Sequence, residues 1–164
     1  VLEIVLHAVD EIGHRGIGPL RPHRISNSGG WENAVLVLLA EGDDRSDPIV
    51  DIARATLDGQ IMLSRELADA AHYPAIDLEG SISRIATNLV SADQLRLAQR
   101  LRRYWTLYAQ KQDFIQVGAY AEKTDPELDE AIRLRGTINA FLTQGSEEAV
   151  DLAQTFKQLK QTMN

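Results

Sequence analysis

The sequence contains no cysteine in its 164 residues. That excludes a disulfide framework and any thiolate metal site, and it suits a reducing compartment. A long apolar run is missing too. The longest unbroken one, residues 34–40 (AVLVLLA), is far short of the roughly 18 to 20 residues needed to cross a bilayer. Positive charge is not in excess: 17 basic residues face 24 acidic ones, for a formal charge of −7. Nucleic acid is therefore not expected as a partner, because phosphate binding depends on clustered cations. The chain begins Val1-Leu2-Glu3 with no basic region ahead of an apolar stretch, so it does not read as a signal peptide. Internal repeats and useful heptad runs are also absent. A cytoplasmic protein is expected.

What is present is ordinary for a globular chain: 44% hydrophobic and 25% charged residues, enough to bury a core. Residues 1–12 place Leu2, Val5, Val9 and Ile12 on one helical face. Residues 13–30 hold five glycines and two prolines with no apolar period, which predicts a loop. Residues 33–40 (NAVLVLLA) suit a short buried strand. Asp47-Pro48 opens a helix to about Leu57, with Asp47 as N-cap and Pro48 in the first turn. Residues 60–64 suit a second strand, followed by a helical turn or two over 65–71. Strand, helix, strand, helix is the order of an α/β architecture with a mostly parallel sheet.

From Ser91 the pattern is helical. Ser91 and Gln94 form a capping box, and Leu97, Leu101, Tyr104, Tyr108 and Ile115 follow one stripe. Thr124, Asp125, Pro126 and Glu127 start a second helix with Leu128, Ile132, Ile138 and Phe141 as its stripe. Gly145 and Ser146 stop it and cap a third, whose core face is Val150, Ala153, Phe156 and Leu159. Three helices with short connections make a small bundle.

The wording of the sequence is more specific than its periodicity. EGDD (41–44), DPI-x-D (47–51), LDG-x-I-x-LSR (57–65), HYPAID (72–77) and S-x-SR (81–84) stand in that order. Together with DFIQVGAYAEKTDPELDEAI (113–132), they resemble the flagellar export ATPases and type III secretion ATPases, relatives of the rotary ATP synthase catalytic subunit. The resemblance covers roughly residues 38–160. It implies three parts: residues 1–34 as a divergent segment, 35–90 as the C-terminal part of a RecA-like parallel-sheet ATPase domain, and 91–164 as a helical bundle domain. The fold class is thus α/β plus all-α. GxxxxGK[ST] does not occur in the chain, and the resemblance places that loop, the catalytic glutamate and the magnesium-linked aspartate upstream. The chain is accordingly expected to be a fragment, a truncated gene product or a sequence altered ahead of residue 35, and to be inactive alone.

The resemblance also implies a function: ATP hydrolysis, with ATP and Mg²⁺ as nucleotide and cofactor, coupled to flagellar or type III protein export by a homohexamer. Expected partners are a stalk protein, a stator-like regulator and secretion chaperones, with the ring peripheral to a membrane export gate. Tyr73, of the YPA motif, is the implied adenine contact, since an aromatic face offers area without demanding a hydrogen bond. Read from the residues alone, Tyr73 is a half-buried packing residue held extended by Pro74. Arg84 is the implied arginine finger, whose forked, permanent charge suits a transferring phosphoryl group on a neighbouring subunit. Its plainer reading is a surface arginine paired with Asp77 or Glu79.

Glu41, Asp43, Asp44 and Asp47 form an acidic cluster that reads as a solvated loop, and no residue is expected to bind metal. Arg96, Arg100 and Arg103 line one helix face, either solvated or facing a partner protein. The alternative to an ATPase part is a helical binding module over 91–163 that docks stalk or chaperone proteins without nucleotide chemistry. Membership of a rotary ATP synthase is a weaker third reading.

Overall fold

The computed structural model describes residues 22–26, 32–36, 52, 54, 55 and 57–164. The chain divides into two compact units, Val1–Asp58 and Gly59–Asn164. The helix expected over 1–12, most of the helix over 47–57 and the acidic cluster at 41–47 lie outside the described residues.

In the first unit, β1 (Pro22–Ser26) pairs antiparallel with β2 (Glu32–Leu36), in register from Pro22↔Leu36 to Ser26↔Glu32. A strand therefore occupies part of the 13–30 segment read as a loop. Local composition could not show it, because a strand's ladder bonds come from its partner. Pro22 is tolerated because it is the first residue of its strand.

The second unit begins with β3 (Gly59–Leu63), α1 (Arg65–Asp69) and β4 (Ile76–Ser83). β3 and β4 pair antiparallel, from Leu63↔Ile76 at one end to Gly59↔Ser83 at the other. Both strand pairs among the described residues are antiparallel. Apolar periodicity did not reveal β4, and the reason is a bulge. Two steps on β3, from Gln60 to Met62, face five on β4, from Ile82 to Asp77, so alternation is lost across residues 78–81. Ser64 caps α1 by accepting from the Leu67 amide at 3.2 Å.

A short helix α2 (Ala86–Leu89) leads to α3 (Ala92–Gln116), α4 (Pro126–Leu142) and α5 (Leu152–Thr162). The capping box on α3 is formed: Gln94 N–H donates to Ser91 Oγ at 3.3 Å, and Ser91 N–H donates to Gln94 Oε1 at 2.8 Å. α4 starts as expected, with Asp125 as N-cap and Pro126 in the first turn. α5 starts later than Ser146, because Asp151 is its cap and accepts from the Gln154 amide at 2.7 Å.

The bundle core is Leu101 and Trp105 of α3, Leu134 and Ile138 of α4, and Leu159 with Met163 at the end of α5. Leu78, from the β4 bulge, packs against this core, as do Tyr104, Phe141 and Phe156. Ala153, expected on the α5 core face, is exposed, and Thr155 is buried instead.

Candidate functional site

Residues 72–84 run from the end of α1 through β4, and both predicted site residues lie in this stretch. α1 ends in a Schellman motif: His72 N–H donates to Leu67 O and Ala71 N–H donates to Ala68 O, each at 2.9 Å. Ala71, at the position glycine usually fills, has φ 56°. The reversal buries His72 and presents Tyr73, which is 53% exposed. The Tyr73–Pro74 peptide is cis.

The helical bundle grips this turn. The His72 ring lies 5.9 Å from the Trp105 ring of α3, tilted by 52°. Thr143 Oγ1, just past α4, is 3.4 Å from His72 Nδ1, and Gln144 N–H donates to Tyr73 O at 2.8 Å. Trp105 is itself covered by Arg135 of α4, whose guanidinium carbon lies 3.8 Å from the Trp105 ring centroid and 4.6 Å from that of Tyr108. Arg135 Nη1 is buried with no hydrogen-bond partner, so ring faces stand where acceptors would. Burial pulls its pKa down, and Tyr108 opposes that shift. The group stays a cation.

Arg84 follows Ser83 at the opposite end of the β3–β4 hairpin and is exposed. Five residues of β3 separate the two ends, about 13 Å at the usual rise per residue. Tyr73 and Arg84 are thus presented at the two ends of one hairpin and are not brought together.

The bulge between them is held on every side. Asp77 Oδ1 accepts from the Glu79 and Gly80 amides at 3.0 and 2.9 Å. Ser81 Oγ donates to Asp77 O at 2.6 Å and accepts from the Met62 amide at 3.0 Å. Gln60 Nε2 donates to Gly80 O at 3.0 Å. Arg102 of α3 donates to Ser81 O at 2.9 Å and to Glu79 O at 2.7 Å. Gly80 is required by close approach, since a Cβ there would lie 2.7 Å from Asp77 Oδ2. Asp77 therefore caps a turn in the strand.

The basic stripe on α3 is matched by carboxylates. Arg96 pairs with Asp93, Arg100 with Glu130 at 3.6 Å, and Arg103 donates to Glu127 Oε2 at 2.6 Å. Two of these pairs reach α4, so the stripe serves the α3–α4 contact. Sequence reasoning missed Arg102, Trp105 and Arg135, which connect the bundle to residues 72–84. The one signal for Arg102 is that it falls outside the 96, 100, 103 spacing.

Two families match. The ATP synthase alpha/beta family, nucleotide-binding domain, matches residues 21–83, and the T3SS EscN ATPase C-terminal domain matches residues 90–161. A flagellum-specific ATP synthase of Pseudomonas aeruginosa is 49% identical over 127 residues, covering 77% of this chain and 28% of that protein. A type 3 secretion system ATPase of Pseudomonas syringae pv. tomato is 39% identical over 161 residues, covering 93% of this chain and 36% of that one. The assembled ATPase EscN of enteropathogenic E. coli superposes with a TM-score of 0.75 at 36% identity, over 77% of this chain and 31% of EscN. EscN in complex with its central stalk EscO superposes at 0.69, over 71% of this chain and 29% of that one. The chain spans about a third of the length of these relatives. It belongs to the ATPase family of flagellar export and type III secretion and corresponds to the C-terminal part of a RecA-like domain followed by the helical bundle.

Proposed function

We propose that this chain is the C-terminal part of a protein-export ATPase protomer, in which Tyr73 contacts adenine and Arg84 acts on the nucleotide of the neighbouring subunit. The observation that carries this reading is the placement of the two residues at opposite ends of one hairpin. A separation of about 13 Å along β3 suits two different nucleotide sites, one at each end. Tyr73 offers a half-exposed ring on a turn held from three sides. Arg84 supplies a planar, forked guanidinium, which is what a developing phosphoryl charge needs.

Among the described residues no three carboxylates or imidazoles converge to hold a cation. The reading includes a homohexameric ring in the cytoplasm beneath an export gate, with a stalk, a stator-like regulator and chaperones as partners. Among the described residues no helix is long and apolar enough to cross a membrane.

The test uses protomers in which this whole chain replaces the matching part of the Pseudomonas syringae ATPase. Arg84→Ala is expected to lower kcat about 1000-fold, the range of an arginine finger, and Tyr73→Ala to raise KM for ATP about tenfold as base stacking is lost. Unchanged turnover in both variants would overturn the reading, and so would ATP turnover by the isolated chain that is lost on Arg84→Ala.

A second reading, a helical docking module without nucleotide chemistry, is favoured by Phe114 and Val117 at the end of α3, which are 62% and 76% exposed.

A further inference from the structure

Arg102 is the one side chain among the described hydrogen bonds by which α3 holds the backbone of β4. Its two terminal nitrogens donate to the Ser81 and Glu79 carbonyls, three and five residues before Arg84. Both acceptors lie in the bulge, where β4 has left the ladder and β3 reaches it only through the Met62 amide and the Gln60 side chain. A guanidinium meets two carbonyls with two nitrogens fixed in one rigid plane, whereas an ammonium offers its donors from a single nitrogen on a flexible stem. Leu78 packs on the bundle core beside this contact, so the bulge is tied to α3 by an apolar anchor and a polar fork.

We propose that Arg102 is a positioning residue for Arg84, through which the bundle sets where the end of β4 delivers its guanidinium. The proposal rests on the reading of Arg84 as the residue that acts on the neighbour's nucleotide. The ladder beyond the bulge consists only of the Gln60↔Ile82 and Gly59↔Ser83 pairs. Two residue pairs fix direction weakly, and a fork gripping two backbone carbonyls just before them adds a constraint from α3 to the two bonds that β3 makes with Gly80 and Ser81. A shift of about 1 Å at a catalytic group can lower a rate about 100-fold, so a loosened bulge is felt in turnover before it is felt in folding.

The test is a double-mutant cycle in the same chimeric rings, with Arg102→Met, which keeps an apolar stem and loses every donor, and with Arg102→Lys. Arg102→Met is expected to lower kcat about tenfold with KM changed less than twofold, and Arg102→Lys to recover part of that loss. Arg84→Ala with Arg102→Met is expected to match Arg84→Ala alone, because a positioning group has nothing left to position. If the two losses multiply, Arg102 is merely structural and the proposal falls. It falls too if Arg102→Met turns over normally while Arg84→Ala is inactive. Normal turnover by Arg84→Ala removes the reading of Arg84 itself, an outcome distinct from the other two.

Discussion

Trp105 concentrates more of this molecule's physics than any other side chain. It is 8% exposed, sits in the core beside Leu101 and Ile138, carries the Arg135 guanidinium on its ring and meets His72 at a tilt. Removing it opens a cavity and leaves the buried Arg135 Nη1 with no acceptor and only the more distant Tyr108 ring. Trp105→Ala is therefore expected to cost about 3 kcal/mol or more, and Trp105→Phe, which keeps a ring, clearly less. Urea unfolding of the two variants checks this, and equal midpoints would contradict it. The apolar stripe traced from Leu97 through Leu101, Tyr104 and Tyr108 passed Trp105 by. With 3.6 residues per turn, positions 104 and 105 both follow 101 on the same side, and only the neighbouring helix decides which is buried. Tyr104 ended up half-buried at the rim, under Arg100.

At the level of elements, helix ends were far more legible than helix faces. The Ser91–Gln94 box and the Asp125-Pro126 start are chemistry between near neighbours, so the sequence shows them in full. The end of α3 is equally local. Gly118, at φ 70°, donates to Ile115 O at 3.1 Å, and Ala119 donates to Phe114 O at 3.0 Å, completing a Schellman motif. A Cβ at Gly118 would meet nothing within 4 Å, so substitution there costs backbone strain alone. Gly118→Ala should destabilise by about 1 kcal/mol without touching the core, which thermal melting of the variant measures. A neutral result would mean that the turn relaxes out of the left-handed region. Where an element depended on a distant partner, as β1 and β4 do, or where Asp151 rather than Ser146 won the cap of α5, reading the chain locally failed.

For the helical bundle as a whole, two α4 carboxylates, Glu127 and Glu130, meet α3 at its polar edge, and Glu130 is also tied within α4. Glu130 accepts from Arg133 at 2.8 and 2.7 Å and lies 3.6 Å from Arg100. The hydrogen bonds from Arg133 hold its pKa below the ordinary value of 4.5, with partial burial opposing them. A carboxyl lowered in the folded state stabilises it at pH values above the unfolded value, and that contribution disappears as the pH falls through the lower folded value. The gap in melting temperature between the wild type and Glu130→Gln is thus expected to be present at pH 7 and to shrink below about pH 4.5. A gap that stays constant down to pH 3 would exclude this role. The candidate site was legible in a different way from the fold. Tyr73 and Arg84 were proposed from the wording of HYPAID and SISR, whereas Arg102 and Trp105, which hold that stretch, belong to no motif and needed the packing to be seen.

The bulge in β4 also bears on how this stretch of chain can vary over time. A one-residue insertion inside a regular strand turns every later side chain to the opposite face. Residues 78–81 already stand outside the ladder between Met62↔Asp77 and Gln60↔Ile82, so a codon gained or lost there leaves the phase of both flanking stretches intact. Length changes within 78–81 would be charged to the grip of Arg102 and the turn at Asp77, while the faces presented by Ile76 and Ser83 stay as they are. Among the strands described, this is the place where drift in length is decoupled from drift in register.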